Sequence, residues 1–345
     1  MNDLNTSEAK VIHVNMSEQC NLDCSFCCIG RPKTKGSLDA DAFIAWFKDF
    51  RGAVEGSDCN CIAINFSGGE PALQVDSILK IIEGTKSDNM YFSVLHDMFS
   101  NMTYEITPKI KKMLEQCSVS TSWDPISDRF ATQEQFELWK RNCQEFQPEQ
   151  VSIVMTTEIL KLEPVKLFKD FASWGINSIH FQKLHATGTA IISNLASPKW
   201  EDVDNWLCRA YDDRNSDVEV AVFEDYKRSC MRNLETFEEY VYRCVEDNKM
   251  TISADGSIST CCLGVTDKFS SIYEPIENLI THPMYTQLGM KSHVRSECRV
   301  CKLYQFCDCN CPRLSWNDKI CPFPKKLFKK IVMDNNPNIL ASLDF

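Results

Sequence analysis

Through roughly the first half of the chain, short apolar runs alternate with stretches whose apolar residues recur every three or four positions. Val11-Ile12-His13-Val14-Asn15-Met16 reads as a first strand, largely apolar in both phases, as a buried parallel strand should be. Further strands are predicted at 61–66, 91–98, 118–123, 151–156 and 178–182, with helices between them at 38–50, 75–83, 108–116, 134–146 and 165–174. The first helix carries Phe43, Ile44, Trp46, Phe47 and Phe50 on one face, and Asp39 and Asp41 where the dipole favours anions. Pro108 suits an opening helical position, and Gly175 can close the helix before it. Strand and helix alternate six times over about 175 residues, which predicts an α/β chain with a parallel sheet wrapped by helices.

Two more helices are predicted at 198–211, with Ser197 as cap and Pro198 in the opening position, and at 225–242. From Cys244 the texture changes to short segments, turn residues and nine of the nineteen cysteines. The run Pro324-Lys325-Lys326-Leu327-Phe328-Lys329-Lys330 reads as a basic amphipathic piece, a solvated helix face or, alternatively, a dock for an acidic partner.

Composition narrows the class. With 345 residues and 43% hydrophobic content the chain can bury an ordinary core, as one large domain plus a smaller one or as two medium ones. No apolar run approaches the roughly 20 residues that span a bilayer. The polar start lacks a signal pattern, so a cytoplasmic protein without membrane attachment is expected. A net charge of −11 opposes a polyanion, and no nucleic-acid partner is expected. In a compartment that keeps thiols reduced, nineteen cysteines point to metal ligation rather than disulfides.

The densest chemistry lies in Cys20-Asn21-Leu22-Asp23-Cys24-Ser25-Phe26-Cys27, just after the first strand. A [4Fe-4S] cluster takes four cysteines, so a triplet leaves one iron open to a small molecule. A zinc knuckle is the alternative for closely spaced cysteines. The loop resembles the signature of the radical S-adenosylmethionine (radical SAM) superfamily, C-x3-C-x-aromatic-C, with Phe26 in the aromatic slot. The resemblance implies a partial (β/α)6 TIM-like barrel, a cluster on Cys20, Cys24 and Cys27, SAM chelated to the open iron, and cleavage of SAM to a 5′-deoxyadenosyl radical. Active residues of such barrels gather at strand carboxyl ends, where this loop falls.

Two further segments fit. Ser67-Gly68-Gly69-Glu70-Pro71 ends the second strand, and two residues without a Cβ let backbone approach a ligand closely. The segment is similar to the superfamily's GGEP, which implies that Gly68, Gly69 and Glu70 hold the SAM amino group. Ser120-Thr121-Ser122-Trp123-Asp124 resembles its S-x-D segment, implying that Ser122 and Asp124 contact the SAM carboxylate and ribose; a plain strand-ending turn is the other reading. His185, in the loop after the last strand, is a candidate to line the site.

A second cysteine pattern is C-terminal. Cys244 is followed by eleven residues and Gly256, then four residues and Cys261, then Cys298-x2-Cys301-x5-Cys307-x3-Cys311 and Cys321. A zinc ribbon needs two C-x2-C pairs, and here there is one. The series resembles the SPASM extension of radical SAM enzymes, which implies two auxiliary [4Fe-4S] clusters. Cys244, Cys261 and Cys311 would serve the nearer, and Cys298, Cys301, Cys307 and Cys321 the farther. The nearer is one ligand short where this chain has Met250, with Cys230, Cys262, Cys309 or substrate as options. Cys262 also stands where sulfatase-maturing relatives carry a basic aspartate, so a thiol there would return a hydrogen atom to a substrate radical, or simply fill space. Cys28, Cys59, Cys61, Cys117, Cys143 and Cys208 fit no ligand spacing and are expected to pack.

The implied activity is hydrogen abstraction from an unactivated carbon by an oxygen-sensitive oxidoreductase, supplied by an external electron donor such as flavodoxin or ferredoxin. The expected organisation is a barrel at 1–190, connecting helices at 191–243, the SPASM extension at 244–323 and a tail at 324–345. SPASM relatives mostly modify ribosomally made peptides, the first substrate class here. Only about ten residues precede the first strand, so a leader-binding domain is not expected. The rivals are a dehydrogenase or epimerase acting on a carbohydrate or aminocyclitol, and a non-catalytic iron-sulfur or zinc protein.

Overall fold

All six predicted strands form: β1 (Ala9–Asn15), β2 (Cys61–Ser67), β3 (Ser93–Phe99), β4 (Ser118–Ser122), β5 (Gln150–Met155) and β6 (Ser178–Lys183). The structure is a computed structural model describing residues 9–29, 36–55, 59–87, 89–125, 129–185, 188–192, 197–214, 217–231, 249–261, 268–286, 296–303 and 321–337. Its contacts divide into two units, the first from 1–23, 29–121 and 244–290, the second from 24–28, 122–243 and 291–345.

In the first unit the strand order is β10-β9-β8-β1-β2-β3-β4. The strands β8 (Lys249–Ile252), β9 (Ser257–Ser259) and β10 (Lys268–Ser271) were not foreseen in the cysteine-rich segment. β8 lies parallel to β1, with His13 opposite Thr251, and then turns back antiparallel through β9 and β10. Helix α1 (Ala40–Val54) starts where the Asp39 carboxylate accepts from the amides of Asp41 and Ala42. It outruns the predicted end by a turn, because Val54 continues the buried stripe of Phe43, Phe47 and Phe50. α2 (Val75–Thr85) and α3 (Pro108–Leu114) complete the crossovers of this unit, α3 capped by the Thr107 side chain.

In the second unit the strand order is β5-β6-β7, where β7 is the two-residue strand Glu219–Val220. α4 (Gln133–Phe146) and α5 (Pro164–Ser173) fall as predicted within a residue at each end. The short α6 (Thr189–Ile192) follows β6. α7 (Trp200–Asp212) corrects the expected start: Lys199, not Ser197, is its N-cap, and the amides of Asp202 and Val203 both return to the Lys199 carbonyl. Pro198 biases the residue before it toward extended backbone, so the helix opens after the proline. α8 (Ala221–Met231) begins a turn earlier than predicted. The remaining helices are α9 (Ile276–Ile280), α10 (Pro283–Thr286), α11 (Ser296–Arg299) and α12 (Lys325–Asn335).

α12 is the amphipathic helix expected of the basic run. Lys325, Lys326 and Lys329 are exposed, as a solvated face is, while Leu327, Phe328, Ile331 and Val332 on the other side are fully buried. Its cations already have partners on α7: Lys326 meets Glu201 at 3.1 Å and Lys330 meets Asp212 at 2.8 Å. The buried Asp204 carboxylate, more than a hundred residues upstream, accepts from the amides of Lys326 and Leu327 at 2.8 and 2.9 Å and so caps α12. Among the described residues no helix is long and apolar enough to cross a membrane.

Candidate functional site

In the first unit the chain leaves β1 at Met16 and runs directly over the end of β2. The Ser17 carbonyl accepts from the Gly69 amide and the Gln19 carbonyl from the Glu70 amide, both at 2.7 Å. That contact explains the glycine pair. A Cβ on Gly68 would stand 2.4 Å from the Ser17 oxygen, and one on Gly69 2.0 Å from the Gln19 oxygen. The close approach these glycines permit is thus to the backbone that carries Cys20. Gly68 also has φ +121°, a conformation side chains disfavour.

Glu70 is 1% exposed, and its carboxylate is engaged on the protein side. It accepts from the Ala72 amide at 3.0 Å, the Ser100 hydroxyl at 2.8 Å and the Asn101 amide at 2.7 Å. Asn101 in turn donates from Nδ2 to the Cys20 Sγ at 3.6 Å and to Asn21 Oδ1 at 2.7 Å. The Leu22 amide donates to the same sulfur at 3.4 Å. A line of hydrogen bonds therefore runs from Glu70 through Asn101 to the first cysteine. Met102, fully buried with φ 55°, holds that loop in a left-handed conformation rare for its type. Asn101 was missed in the sequence, although Ser100-Asn101-Met102-Thr103 follows β3 where barrel chemistry gathers.

The second unit holds Cys24 and Cys27. Phe26 packs with Leu184 and Ala190, and Cys24 and Val154 lie against that cluster. The Thr189 amide donates to the Cys27 carbonyl at 2.8 Å. A Cβ on Gly188 would stand 2.6 Å from the Cys27 oxygen and 2.4 Å from that of Cys28. Here again a glycine seats the cysteine loop.

Ser122 and Asp124 are buried in the same unit, held by Trp123, whose ring packs on Phe171 and Trp174 with centroids at 5.3 and 6.1 Å. Asp124 Oδ1 accepts from the Val154 amide at 3.3 Å, and Oδ2 faces Arg129 Nη1 at 3.8 Å. Arg129 is a second residue missed in the sequence, and five positions of loop spacing gave no signal for it. His185 is half-buried, its Nδ1 enclosed with no hydrogen-bond partner among the described residues. Burial, with Lys183 beside it, pushes its pKa down, so the ring is neutral.

Of the C-terminal candidates, Cys261, Cys298, Cys301 and Cys321 form no disulfide, with Cys298 buried and its carbonyl accepting from the Cys301 amide at 3.1 Å. Cys244, Cys262, Cys307, Cys309 and Cys311 lie outside the described residues. Among the cysteines expected to pack, Cys59, Cys61 and Cys143 are buried, whereas Cys28 is exposed and corrects that expectation. Burial raises Cys117 to about 12 and Cys208 to about 11, so both stay thiols.

The surroundings of Cys20 suit a ligand of an iron-sulfur cluster. Three cysteines outside any disulfide occupy eight consecutive positions, and two N–H groups donate to the Cys20 sulfur, the contact a thiolate ligand uses. Among the described residues no three His, Cys, Asp or Glu side chains share one ion-sized site. A cube asks something different of its ligands, one thiolate on each of several irons.

No protein-family model matches the chain, and neither does any curated protein sequence. Solved structures do. Native anSMEcpe with bound AdoMet, an anaerobic sulfatase-maturating radical SAM/SPASM protein, superposes with TM-score 0.73 at 18% identity, over 97% of this chain and 99% of that one. Its complex with AdoMet and the Cp18Cys peptide gives TM-score 0.72 at 16% identity, over the same shares. Streptococcus suis SuiB bound to precursor peptide SuiA gives 0.63 at 15% identity, over 92% of this chain and 76% of that one. The chain therefore has the α/β fold of the radical SAM/SPASM proteins, the partial barrel that its cysteine loop led one to expect.

Proposed function

We propose that the protein is a radical SAM enzyme that modifies a ribosomally made peptide, with its C-terminal cysteines forming a SPASM extension. The single observation that carries this is the seating of the Cys20 loop on Gly68 and Gly69, with Glu70 and Asn101 bracing the Cys20 sulfur. Cys20, Cys24 and Cys27 would hold the [4Fe-4S] cluster, and Cys244, Cys261, Cys298, Cys301, Cys307, Cys311 and Cys321 the auxiliary ones. With SAM bound and an external donor such as flavodoxin or ferredoxin, the cluster supplies a 5′-deoxyadenosyl radical able to take hydrogen from an unactivated carbon. The chain's own residues do the positioning. Glu70 fixes Asn101, Asn101 orients Cys20, and Gly188 with Thr189 anchors the Cys27 backbone. The Asp124–Arg129 pair, both side chains under a tenth exposed, keeps the end of β4 in place. Cys262 would be the hydrogen donor or a spacer.

The peptide class draws support from two neighbours of the same fold, solved with the Cp18Cys peptide and with the precursor peptide SuiA. The deciding experiment is anaerobic reconstitution followed by iron counting and SAM cleavage on one sample. Three clusters predict roughly twelve irons per chain. Reduced protein that makes no 5′-deoxyadenosine rejects the enzyme reading, and Cys24→Ser should abolish that product.

A further inference from the structure

The sheet of the first unit has two chemically different faces. Toward α2, Thr85 Oγ1 meets His96 Nε2 at 2.9 Å, His96 stacks on Phe66, and Ile12, Val14, Ile62, Ile64 and Met98 are buried. Strand alternation puts Val11, His13, Ala63, Asn65, Leu95 and Asp97 on the other face. There the register sets Thr251, His13, Asn65, Asp97 and Ser118 side by side in one row across β8, β1, β2, β3 and β4. Two residues nearer the strand carboxyl ends, Ser67 donates to Asn15 at 2.9 Å, and beyond them come the cysteine loop and the glycine pair.

Two features set this row apart from a packed layer. His13, Asn65 and Asp97 are only half-buried, and Leu95, on the same face, is 45% exposed, so the face is open. Asn65 Oδ1 is enclosed with no hydrogen-bond partner among the described residues. Buried acceptors are nearly always paired, and the broad two-fold torsion of an asparagine amide lets this one turn to a donor arriving from the open side. His13 adds no charge, since burial, with Lys249 nearby, lowers its pKa to about 4. The charge of the row is the Asp97 carboxylate, which adds to burial in pushing the neighbouring Cys61 and Cys117 thiols up. Val11, Ala63 and Leu95 adjoin the row. An occupant that suits both has a hydrocarbon stem and a hydrogen-bond-donating polar tip. That describes an amino-acid side chain better than a sugar, which is polar on nearly every carbon.

We infer that the row of His13, Asn65 and Asp97 is the recognition floor for a hydrogen-bond-donating side chain of the peptide substrate, a hydroxyl or a carboxamide. This deepens the peptide reading and rests on it. The test is saturation-transfer NMR on the reconstituted full chain with blocked tripeptides, acetyl-Gly-X-Gly-amide, where X is Ser, Asn or Ala. The native protein should prefer Ser or Asn to Ala by about fivefold, one neutral hydrogen bond. Whichever of the two binds tighter identifies the donor. Asn65→Val should bring the preference under about twofold, while Asn65→Thr, nearly the same shape with an acceptor restored, should keep it. No preference in the native protein, a preference unchanged in Asn65→Val, loss of preference in Asn65→Thr, or binding of glucose in place of the tripeptides each overturns the inference. Should Asn65→Val fail to fold, the Asn65→Thr requirement stands on its own. SAM cleavage without tripeptide, measured on the same sample, separates failure here from failure of the radical SAM reading: the cleavage persists in one case and is absent in the other.

Discussion

Gly69→Ala tests the seating of the cysteine loop most directly. The new Cβ would lie 2.0 Å from the Gln19 oxygen and 2.5 Å from the Gln19 carbonyl carbon, both backbone atoms that no side-chain rotation can move aside. Restoring an ordinary contact of about 3.4 Å displaces the loop by about 1.4 Å, since van der Waals overlap rises steeply inside that distance. The hydrogen bonds from Gly69 to Ser17 and from Glu70 to Gln19, now 2.7 Å each, would then stretch to about 4 Å and be lost. At about 0.5–1.5 kcal/mol apiece, with the Glu70 carboxylate also unseated, the expected destabilisation is about 2–4 kcal/mol. Two other glycines calibrate it. Gly175→Ala, with φ +78° and no atom within 4 Å of the added carbon, should cost about 1–2 kcal/mol from backbone strain alone. Gly36→Ala, with open space and no such φ, should be near neutral. Urea midpoints and iron per chain after anaerobic reconstitution provide the readout. A Gly69→Ala protein that matches Gly36→Ala in both measurements refutes the reasoning.

Three further outcomes follow from the same contacts. Asn101→Ala removes the amide that donates to the Cys20 sulfur and should speed loss of iron to a chelator by roughly tenfold, with secondary structure unchanged; an unaltered rate removes Asn101 from the site. Asp204→Ala leaves two α12 amides without their acceptor and should cost about 1–3 kcal/mol, with faster tryptic cutting in the 325–330 run; a native cleavage rate contradicts the capping role. His13 and His96 are both lowered to about 4, chiefly by burial. The unfolded chain therefore protonates first as pH falls, and their stabilisation is complete above pH 6.5 and lost toward pH 4. Each is worth on the order of 3 kcal/mol, so the urea midpoint should fall between those pH values, and fall less in His96→Asn; a flat native profile sinks this assignment.

The alternation of apolar runs with amphipathic stretches determined the β1–β6 core, because burial on both faces of a parallel strand and on one stripe of a helix is already written in residue order. Signals close in sequence were legible too: Asp39 at the start of α1, Pro108 opening α3, and the triplet Cys20, Cys24 and Cys27. What joined distant residues was not. The solvated lysines of the 325–330 run were legible, but not its carboxylate partners, Glu201, Asp204 and Asp212, which lie more than a hundred positions upstream and meet it only once α7 and α12 pack. Asn101 joined Cys20 in the same way, through a loop whose conformation Met102 and Glu70 decide. The glycines after β2 were legible as a close approach, but only the fold showed which backbone approaches, since a missing Cβ records that space is needed and not what fills it. The polar row of His13, Asn65 and Asp97 came last: alternation fixes which residues share a face, whereas register between strands, a tertiary property, fixes which stand abreast.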